Sequence, residues 1–128
     1  MPGATRTREI SVKTLFVIND PPYGTERVYN ALRLAHALLK RAESTEVIIF
    51  LMADAVLVAK ARQKTPEGYY NLERMLRRVL SSKAAVLLCG TCMDARGISE
   101  TELVDGARRS TMDELASATA EADRVLVF

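Results

Sequence analysis

Short apolar runs alternate along this chain with segments in which apolar residues recur at helical spacing. The continuous run over residues 47–51 is typical of a strand that is covered on both faces, as in a parallel sheet. This alternation predicts an α/β fold, a three-layer α/β/α sandwich with a mainly parallel central sheet of about five strands. The predicted strands are residues 12–18, 47–51, 85–88 and 124–128, and residues 102–104 are either a short strand or a packed loop.

Helix signals fill the intervals between the predicted strands. The first helix is predicted to follow a Thr25 cap and to bury one apolar face. Asp54 is predicted to cap a short second helix. A third helix is predicted over residues 72–80, and Thr111 with Glu114 forms a capping box that opens the fourth.

Composition narrows the partners that such a fold would have. The chain has 128 residues, of which 48% are hydrophobic, and this is enough for one domain with a full core. A formal net charge of +2 and the absence of tryptophan give no basis for nucleic-acid binding.

Residues 1–11 are polar and basic, so they are predicted to be a flexible tail before a single domain over residues 12–128. The sequence shows no signal peptide and no membrane-spanning run, which predicts a cytoplasmic protein without a membrane partner.

Both cysteines of the chain stand where a buried strand ends. The apolar residues 85–88 run directly into Cys89, and Cys92 follows in a Cys-x-x-Cys spacing. The carboxyl ends of parallel strands are where α/β proteins place their chemistry. In a reducing compartment, two close cysteines are more often redox, metal or catalytic groups than a structural disulfide. Cys89 and Cys92 are therefore the predicted catalytic residues.

The residues around the cysteines admit two interpretations. If residues 90–92 turn into a helix or tight loop, the two sulfurs meet, and backbone N–H groups and Arg96 stabilise a thiolate. Asp94 then either pairs locally with Arg96 or points at the thiol. In the alternative, Cys89 is a small apolar residue that ends the strand, and Asp94 with Arg96 is a solvated ion pair. Gly97 is predicted to serve the backbone in either case.

A second polar loop, residues 19–24, follows the first predicted strand and faces the same edge of a parallel sheet. Asn19 is a candidate substrate-binding residue and Tyr23, next to Gly24, a candidate wall of the pocket; the alternative is a rigid turn before the first helix. The loop has no glycine-rich nucleotide pattern, so no cofactor is predicted. Two cysteines cannot form a four-cysteine zinc site within one chain, so no metal site is predicted except one shared across subunits.

Several segments together resemble the DsrE/DsrF-like family, and specifically its YchN-like branch. They are Asn-Asp-Pro-Pro-Tyr-Gly-Thr-Glu from residue 19, Phe-Leu-Met-Ala-Asp-Ala-Val from residue 50, Gly-Tyr-Tyr-Asn from residue 68, and Leu-Cys-Gly-Thr-Cys-Met-Asp-Ala-Arg-Gly-Ile from residue 88. The resemblance extends over residues 12–128. It implies a three-layer α/β/α domain in a cytoplasmic homo-oligomer, a trimer or a hexamer, for which Tyr69, Tyr70 and residues 99–109 are candidate contacts.

The better-understood members of this family are sulfur-relay proteins that carry sulfur as a cysteine persulfide between donor and acceptor proteins. Their sulfur-carrying cysteine precedes an Arg-Gly pair, and the matching position here is Cys89, before Arg96-Gly97. Cys92 is typical of the YchN-like branch. The resemblance therefore implies a sulfurtransferase-type sulfur carrier. The alternatives are a non-catalytic oligomeric module that binds a small ligand or partner, and a Cys-x-x-Cys dithiol redox switch.

Overall fold

The structure, a computed structural model, describes residues 11–41 and 44–128. The predicted tail over residues 1–11 lies outside the described residues except for Ser11, whose hydroxyl donates to the Ser44 carbonyl oxygen at 2.8 Å. Within the described residues, no helix is both long enough and apolar enough to cross a membrane.

Strands and helices alternate along the described chain, as the sequence predicts. The strands are β1 (Val12–Ile18), β2 (Thr45–Leu51), β3 (Ala85–Cys89), β4 (Ala107–Ser110) and β5 (Arg124–Val127). The α-helices are α1 (Arg27–Arg41), α2 (Leu72–Ser81), α3 (Gly90–Ala95) and α4 (Met112–Glu121), and 3₁₀ helices span Ala53–Ala59 and Glu100–Glu102. The strands form one parallel sheet in the order β4-β3-β2-β1-β5, which confirms the predicted α/β fold.

Helices cover both faces of the sheet and produce the predicted three layers. On one face, α1, α2 and the first 3₁₀ helix pack on residues such as Phe16, Ile49 and Leu88. On the other face, α4 packs through its apolar residues on the strand residues Leu15, Phe50 and Leu87, and Cys89 belongs to this second layer. The central strands are apolar on both faces because neither face meets water.

The packed-loop alternative for residues 102–104 is correct, because Leu103 and Val104 are buried outside any strand, and the sequence did not predict the fifth strand. Residues 102–104 are not a strand, since Glu102 ends a 3₁₀ helix and Leu103 makes an isolated antiparallel bridge with Lys60. The strand is instead β4, whose sequence is Ala-Arg-Arg-Ser. It lies at the sheet edge and pairs with β3 alone, so most of its side chains face solvent and its sequence lacks an apolar pattern.

Two of the three predicted caps differ from expectation. Thr25 Oγ1 accepts from the Arg27 N–H at 3.2 Å, as predicted. Asp54 caps nothing; the 3₁₀ helix begins at Ala53, and the Asp54 carboxylate pairs with Arg96 instead. Thr111 caps α4, but the predicted reciprocal bond from Glu114 is replaced by bonds of its carboxylate to side chains of β4. Local sequence indicates a capping side chain, but a nearby arginine or hydroxyl competes for its oxygen atoms.

Gly97 ends α3 in a left-handed conformation, with φ of 66°. The Ile98 N–H donates to the Met93 carbonyl oxygen at 3.0 Å and the Gly97 N–H to the Asp94 carbonyl oxygen at 3.1 Å, which is a Schellman motif. The predicted backbone role of Gly97 is therefore seen in the structure.

Gly97→Ala is expected to lower the free energy of unfolding by about 1–2 kcal/mol, because the left-handed region strains any residue with a Cβ. Urea denaturation at fixed protein concentration measures the loss. Gly24→Ala is the matched control; Gly24 lacks a positive φ, and a Cβ there would lie 3.4 Å from Pro21 Cγ. Equal stability of the two variants would contradict the argument.

Candidate functional site

Cys89 is both the last residue of β3 and the N-cap of α3. Its side chain is only 5% exposed, yet its sulfur has polar neighbours. The Cys92 N–H donates to Cys89 Sγ at 3.4 Å, and the Thr91 hydroxyl oxygen lies 3.2 Å from the same sulfur. The chain turns directly from strand into helix, and this turn points the N–H and hydroxyl groups of the first helical residues at the sulfur.

The surroundings of Cys89 favour its ionised form. Burial raises the pKa of the Cys89 thiol, but hydrogen bonds from the side chains and backbone N–H groups of Cys92 and Thr91 outweigh burial, so the pKa lies below its ordinary value. Hydrogen bonds to a thiolate disperse its charge and are lost on protonation. The end of β3 therefore carries a thiol that ionises more readily than an ordinary cysteine.

The pKa of the Cys92 thiol is shifted in the opposite direction, above its ordinary value. Burial and the hydrogen bond to Cys89 raise the pKa of the Cys92 thiol, although the Ala53 N–H, which donates to Cys92 Sγ at 3.2 Å, acts against them. Ala53 is held with φ of 53°, a strained value for a residue with a Cβ. Both cysteines are free thiols. The pKa values of the two thiols are thus shifted in opposite directions, and Cys89 is the more acidic of the pair.

A cleft of about 180 Å³ opens at Cys89, between the start of α3 and the start of α4. Its other lining residues are Gly90, Thr91, Arg109, Ser110, Thr111 and Met112. Ser110 lies directly beside Cys89 because the two residues pair in the register of β3 and β4. A small molecule or the tip of a partner segment therefore has a route to the sulfur.

Arg109 is a site residue that the sequence analysis missed. Its guanidinium pairs with both carboxylate oxygens of Asp94, with Nη1–Oδ1 and Nη2–Oδ2 distances of 2.8 and 2.9 Å. Its only signal in the sequence is the Arg-Arg pair at 108–109, and that pair lies in the strand that was not predicted.

Asp94 and Arg96 each pair with a residue of another segment. Asp94 binds Arg109, while Arg96 Nε donates to Asp54 Oδ1 at 2.9 Å and Arg96 Nη2 lies 2.8 Å from the same oxygen. Arg96 Nη1 also donates to the Cys92 carbonyl oxygen at 3.0 Å, and its charge lowers the pKa of Cys92 against the larger effect of burial. Arg96 thus contacts the Cys92 side of the site, and the cation that lines the Cys89 cleft is Arg109.

The candidates of the first loop have structural partners. Tyr23 donates its hydroxyl to Gln63 Oε1 at 2.6 Å and accepts from the Leu72 N–H at 3.1 Å, which ties the connector before α2 to the loop. Asn19 donates its side-chain amide to the Phe128 carbonyl oxygen at 3.5 Å. Asn19, Tyr23 and Gly24 are not among the residues that line the Cys89 cleft. These contacts agree with the alternative interpretation, a rigid turn before the first helix.

The lowered pKa of Cys89 predicts a pH dependence for its alkylation. The thiolate fraction, and hence the rate with iodoacetamide, should be half-maximal at a lower pH than for an ordinary cysteine. Cys92→Ala removes a side-chain donor to Cys89, so its midpoint should move to higher pH. Stopped-flow alkylation followed by peptide mapping measures both midpoints. An unmoved midpoint in Cys92→Ala would show that the hydrogen bond has no effect on ionisation.

The chain is similar in sequence to a known protein family and to several individual proteins. A sequence model of the DsrE/DsrF-like family matches residues 12–128. The protein YchN of Escherichia coli strain K12 is 44% identical over 116 residues, which cover 91% of this chain and 98% of YchN. The sulfurtransferase TusD of Salmonella typhi is 28% identical over 124 residues, which cover 88% of this chain and 96% of TusD.

Solved structures give the same result for the fold. The crystal structure of the Escherichia coli ychN protein matches with a TM-score of 0.85 at 42% identity and covers 91% of this chain and 99% of that chain. A protein of unknown function from Methanobacterium thermoautotrophicum matches with a TM-score of 0.77 at 13% identity, covering 92% of this chain and all of its own. At this low identity, the second match concerns the fold alone.

Proposed function

This chain belongs to the DsrE/DsrF-like family, and we propose that it is a sulfur carrier of the sulfurtransferase type that holds sulfur as a persulfide on Cys89. The observation that carries the proposal is the environment of Cys89 Sγ, which accepts from the Cys92 N–H and faces Thr91 at the mouth of a cleft. A thiolate is the form of cysteine that attacks another sulfur. The similarity to the sulfurtransferase TusD supports the same chemistry.

Loading is a thiol exchange on a donor persulfide, R–S–SH. The Cys89 thiolate attacks the outer sulfur, a new S–S bond forms, and the S–S bond of the donor breaks. The products are Cys89–S–SH and the donor thiolate R–S⁻, so the step needs no external oxidant or reductant. An acceptor thiolate then attacks the same outer sulfur, takes it as a persulfide and regenerates the Cys89 thiolate. A donor protein and an acceptor protein are therefore the partners in this proposal.

Cys92 provides a way to discharge the persulfide. When Cys92 ionises, its thiolate attacks the inner sulfur of Cys89–S–SH, releasing hydrosulfide and leaving a Cys89–Cys92 disulfide. The turn supports this role, because the Cys92 N–H donates to Cys89 Sγ at 3.4 Å and so holds Cys92 within one helical turn of that sulfur. A dithiol reductant would restore both thiols.

The same contact between Cys89 and Cys92 favours a second candidate function, a dithiol redox switch. In that function Cys89 attacks a disulfide of a partner, Cys92 displaces the partner's thiol, and the partner leaves with both of its sulfurs reduced. The two candidates share the nucleophile but differ in what the protein holds afterwards: an added sulfur atom or an internal disulfide.

A homo-oligomer in the cytoplasm is also part of the proposal. A reducing compartment would keep both thiols free between cycles. Val127, 67% exposed, and Val125, 41% exposed, lie on the edge strand β5, and Met112 at the cleft is 58% exposed. Apolar side chains exposed on an edge strand and beside a cleft support association, because burying them would stabilise an oligomer, trimer or hexamer.

Intact-mass measurement tests the proposal directly. The reduced protein is incubated with glutathione persulfide, desalted and weighed before and after treatment with dithiothreitol. We expect a mass gain of one sulfur atom that the reductant removes. A loss of two hydrogens in the wild type, together with no gain of sulfur in Cys92→Ser protein, which cannot form the internal disulfide, would favour the redox switch. Two thiols that react neither with the persulfide nor with iodoacetamide would favour the non-catalytic module.

A further inference from the structure

The Arg109 guanidinium lines the Cys89 cleft and is oriented there by Asp94. Its two Nη atoms bind the two oxygens of Asp94 in a bidentate pair, which fixes the plane of the group as well as its position. Arg109 precedes Ser110, and Ser110 pairs with Cys89 in the register of the sheet. Arg109 itself pairs with Leu88, the residue before Cys89, and its side chain lines the same cleft as Cys89.

Gly90 leaves the space that the guanidinium occupies. A Cβ added at Gly90 would lie 2.8 Å from Arg109 Nε and 2.9 Å from Cζ, closer than such atoms approach. The guanidinium thus lies on the backbone of the residue that directly follows Cys89. The φ of Gly90 is not positive, so the missing Cβ matters here for the close approach of the guanidinium and not for the backbone conformation.

Arg109 keeps unused hydrogen-bond donors at the cleft. A guanidinium has five N–H bonds, and Asp94 accepts from two of them. In the part of the chain that the structure describes, the other three have no protein acceptor. Neighbouring Arg108 differs, because its Nη atoms bind Glu114 at the start of α4 and it does not line the cleft.

We propose that Arg109 binds the anionic outer sulfur of the Cys89 persulfide, so that the site holds its cargo as Cys89–S–S⁻ and is selective for small anionic sulfane-sulfur groups. This inference rests on the proposed persulfide chemistry and adds the group that recognises the cargo. A persulfide is a stronger acid than the parent thiol, so its outer sulfur is ionised near neutral pH and needs a cation or N–H donors. The Arg109 side chain supplies both the positive charge and the N–H donors at the cleft.

Electrostatics around Arg109 agree with this role. Hydrogen bonding to Asp94 and the charge of Asp94 raise the pKa of Arg109 against the effect of burial, and the charges of Glu100 and then Cys89 add to the increase. The hydrogen bond and charge of Arg109 in turn lower the pKa of Asp94. A negative charge on the sulfur of Cys89 is therefore within electrostatic reach of the guanidinium.

The test measures how readily the outer sulfur of the loaded persulfide ionises. Cys92→Ser protein, which cannot form the internal disulfide, is loaded with glutathione persulfide, and the rate of alkylation by iodoacetamide is followed from acid to alkaline pH. The variants Arg109→Gln, Arg109→Lys and Gly90→Ala are made in this background, with Arg108→Gln as the matched control.

Arg109→Gln is expected to slow alkylation about threefold to tenfold on the acid side of the profile and to match the parent at alkaline pH, because losing a nearby charge disfavours the anion. Gly90→Ala should shift the profile in the same direction by displacing the guanidinium, Arg109→Lys should recover part of the loss, and Arg108→Gln should leave the profile unchanged.

Each outcome separates this inference from the function on which it rests. If the parent protein takes up no sulfur, the proposed persulfide function fails and the role of Arg109 fails with it. If the parent loads but Arg109→Gln and Gly90→Ala follow its profile, the function stands and the Arg109 inference is overturned. An equal shift in Arg108→Gln would also overturn it, because the effect would then be one of net charge alone.

Discussion

Cys89→Ser protein is expected to gain no sulfur from glutathione persulfide, whereas Cys92→Ser protein is expected to load to nearly one sulfur per chain. A serine hydroxyl stays protonated at neutral pH and does not attack a sulfane sulfur, so the first substitution removes the nucleophile altogether. The second leaves Cys89 at the end of β3 with the Cys92 backbone N–H still directed at it. Intact mass after desalting measures both.

Cys92→Ser is the matched control, because it makes the same substitution three positions away in the same turn. Its persulfide should also persist longer than that of the wild type, since no second thiol attacks the inner sulfur. Two results would contradict the assignment of Cys89. One is equal loading of both variants, and the other is loading of Cys89→Ser alone, which would make Cys92 the carrier.

Phe50→Ala is expected to cost about 3–5 kcal/mol of the free energy of unfolding, the range typical of large-to-small changes in a well-packed core. Phe50 is fully buried in the central strand β2 and belongs to the apolar layer that also contains Leu87 and Cys89. The cavity would open directly beneath α4, the helix that forms one wall of the cleft. Urea denaturation at a fixed protein concentration measures the loss.

Phe128→Ala is the matched control for this prediction. Phe128 is only partly buried at the end of the chain, where its ring stacks on Phe16 with centroids 5.9 Å apart. Its truncation should cost less than half as much as that of Phe50. If the two variants were equally stable, the second apolar layer would not be the tightly packed support of β3 that the structure describes.

Local pattern was sufficient to predict most of the fold. β1 through β3 and β5 are apolar runs in which neighbouring residues share a preference for burial, so each can be read without knowing its partners. The strand β4 is different, because Ala-Arg-Arg-Ser becomes a strand only through its ladder with β3. The edge strand β5 is also exposed but is apolar, whereas the charged side chains of β4 give no local sign of a strand.

The candidate site likewise has some features that depend on local sequence and others that depend on contacts between distant segments. That Cys89 ends a buried strand and that Gly97 serves the backbone followed from sequence, because each depends on residues within one short segment. The sequence left residues 90–92 as a helix or a tight loop, and the structure shows the helix. The interpretation of the charged groups did not follow. Arg96 binds Asp54, which is 42 residues away, and Asp94 binds Arg109, which is 15 residues away.

By itself, then, the sequence determined an alternating α/β chain with a thiol at the carboxyl end of its third strand, because backbone periodicity and chain order are local properties. Only the tertiary structure decided which cation lies beside that thiol. The pairing of β3 with β4 brings Arg109 to the cleft, and the missing side chain of Gly90 lets the guanidinium lie against the turn. Two charged groups interact strongly only when they are close in space, and these groups become close only after the strands have paired.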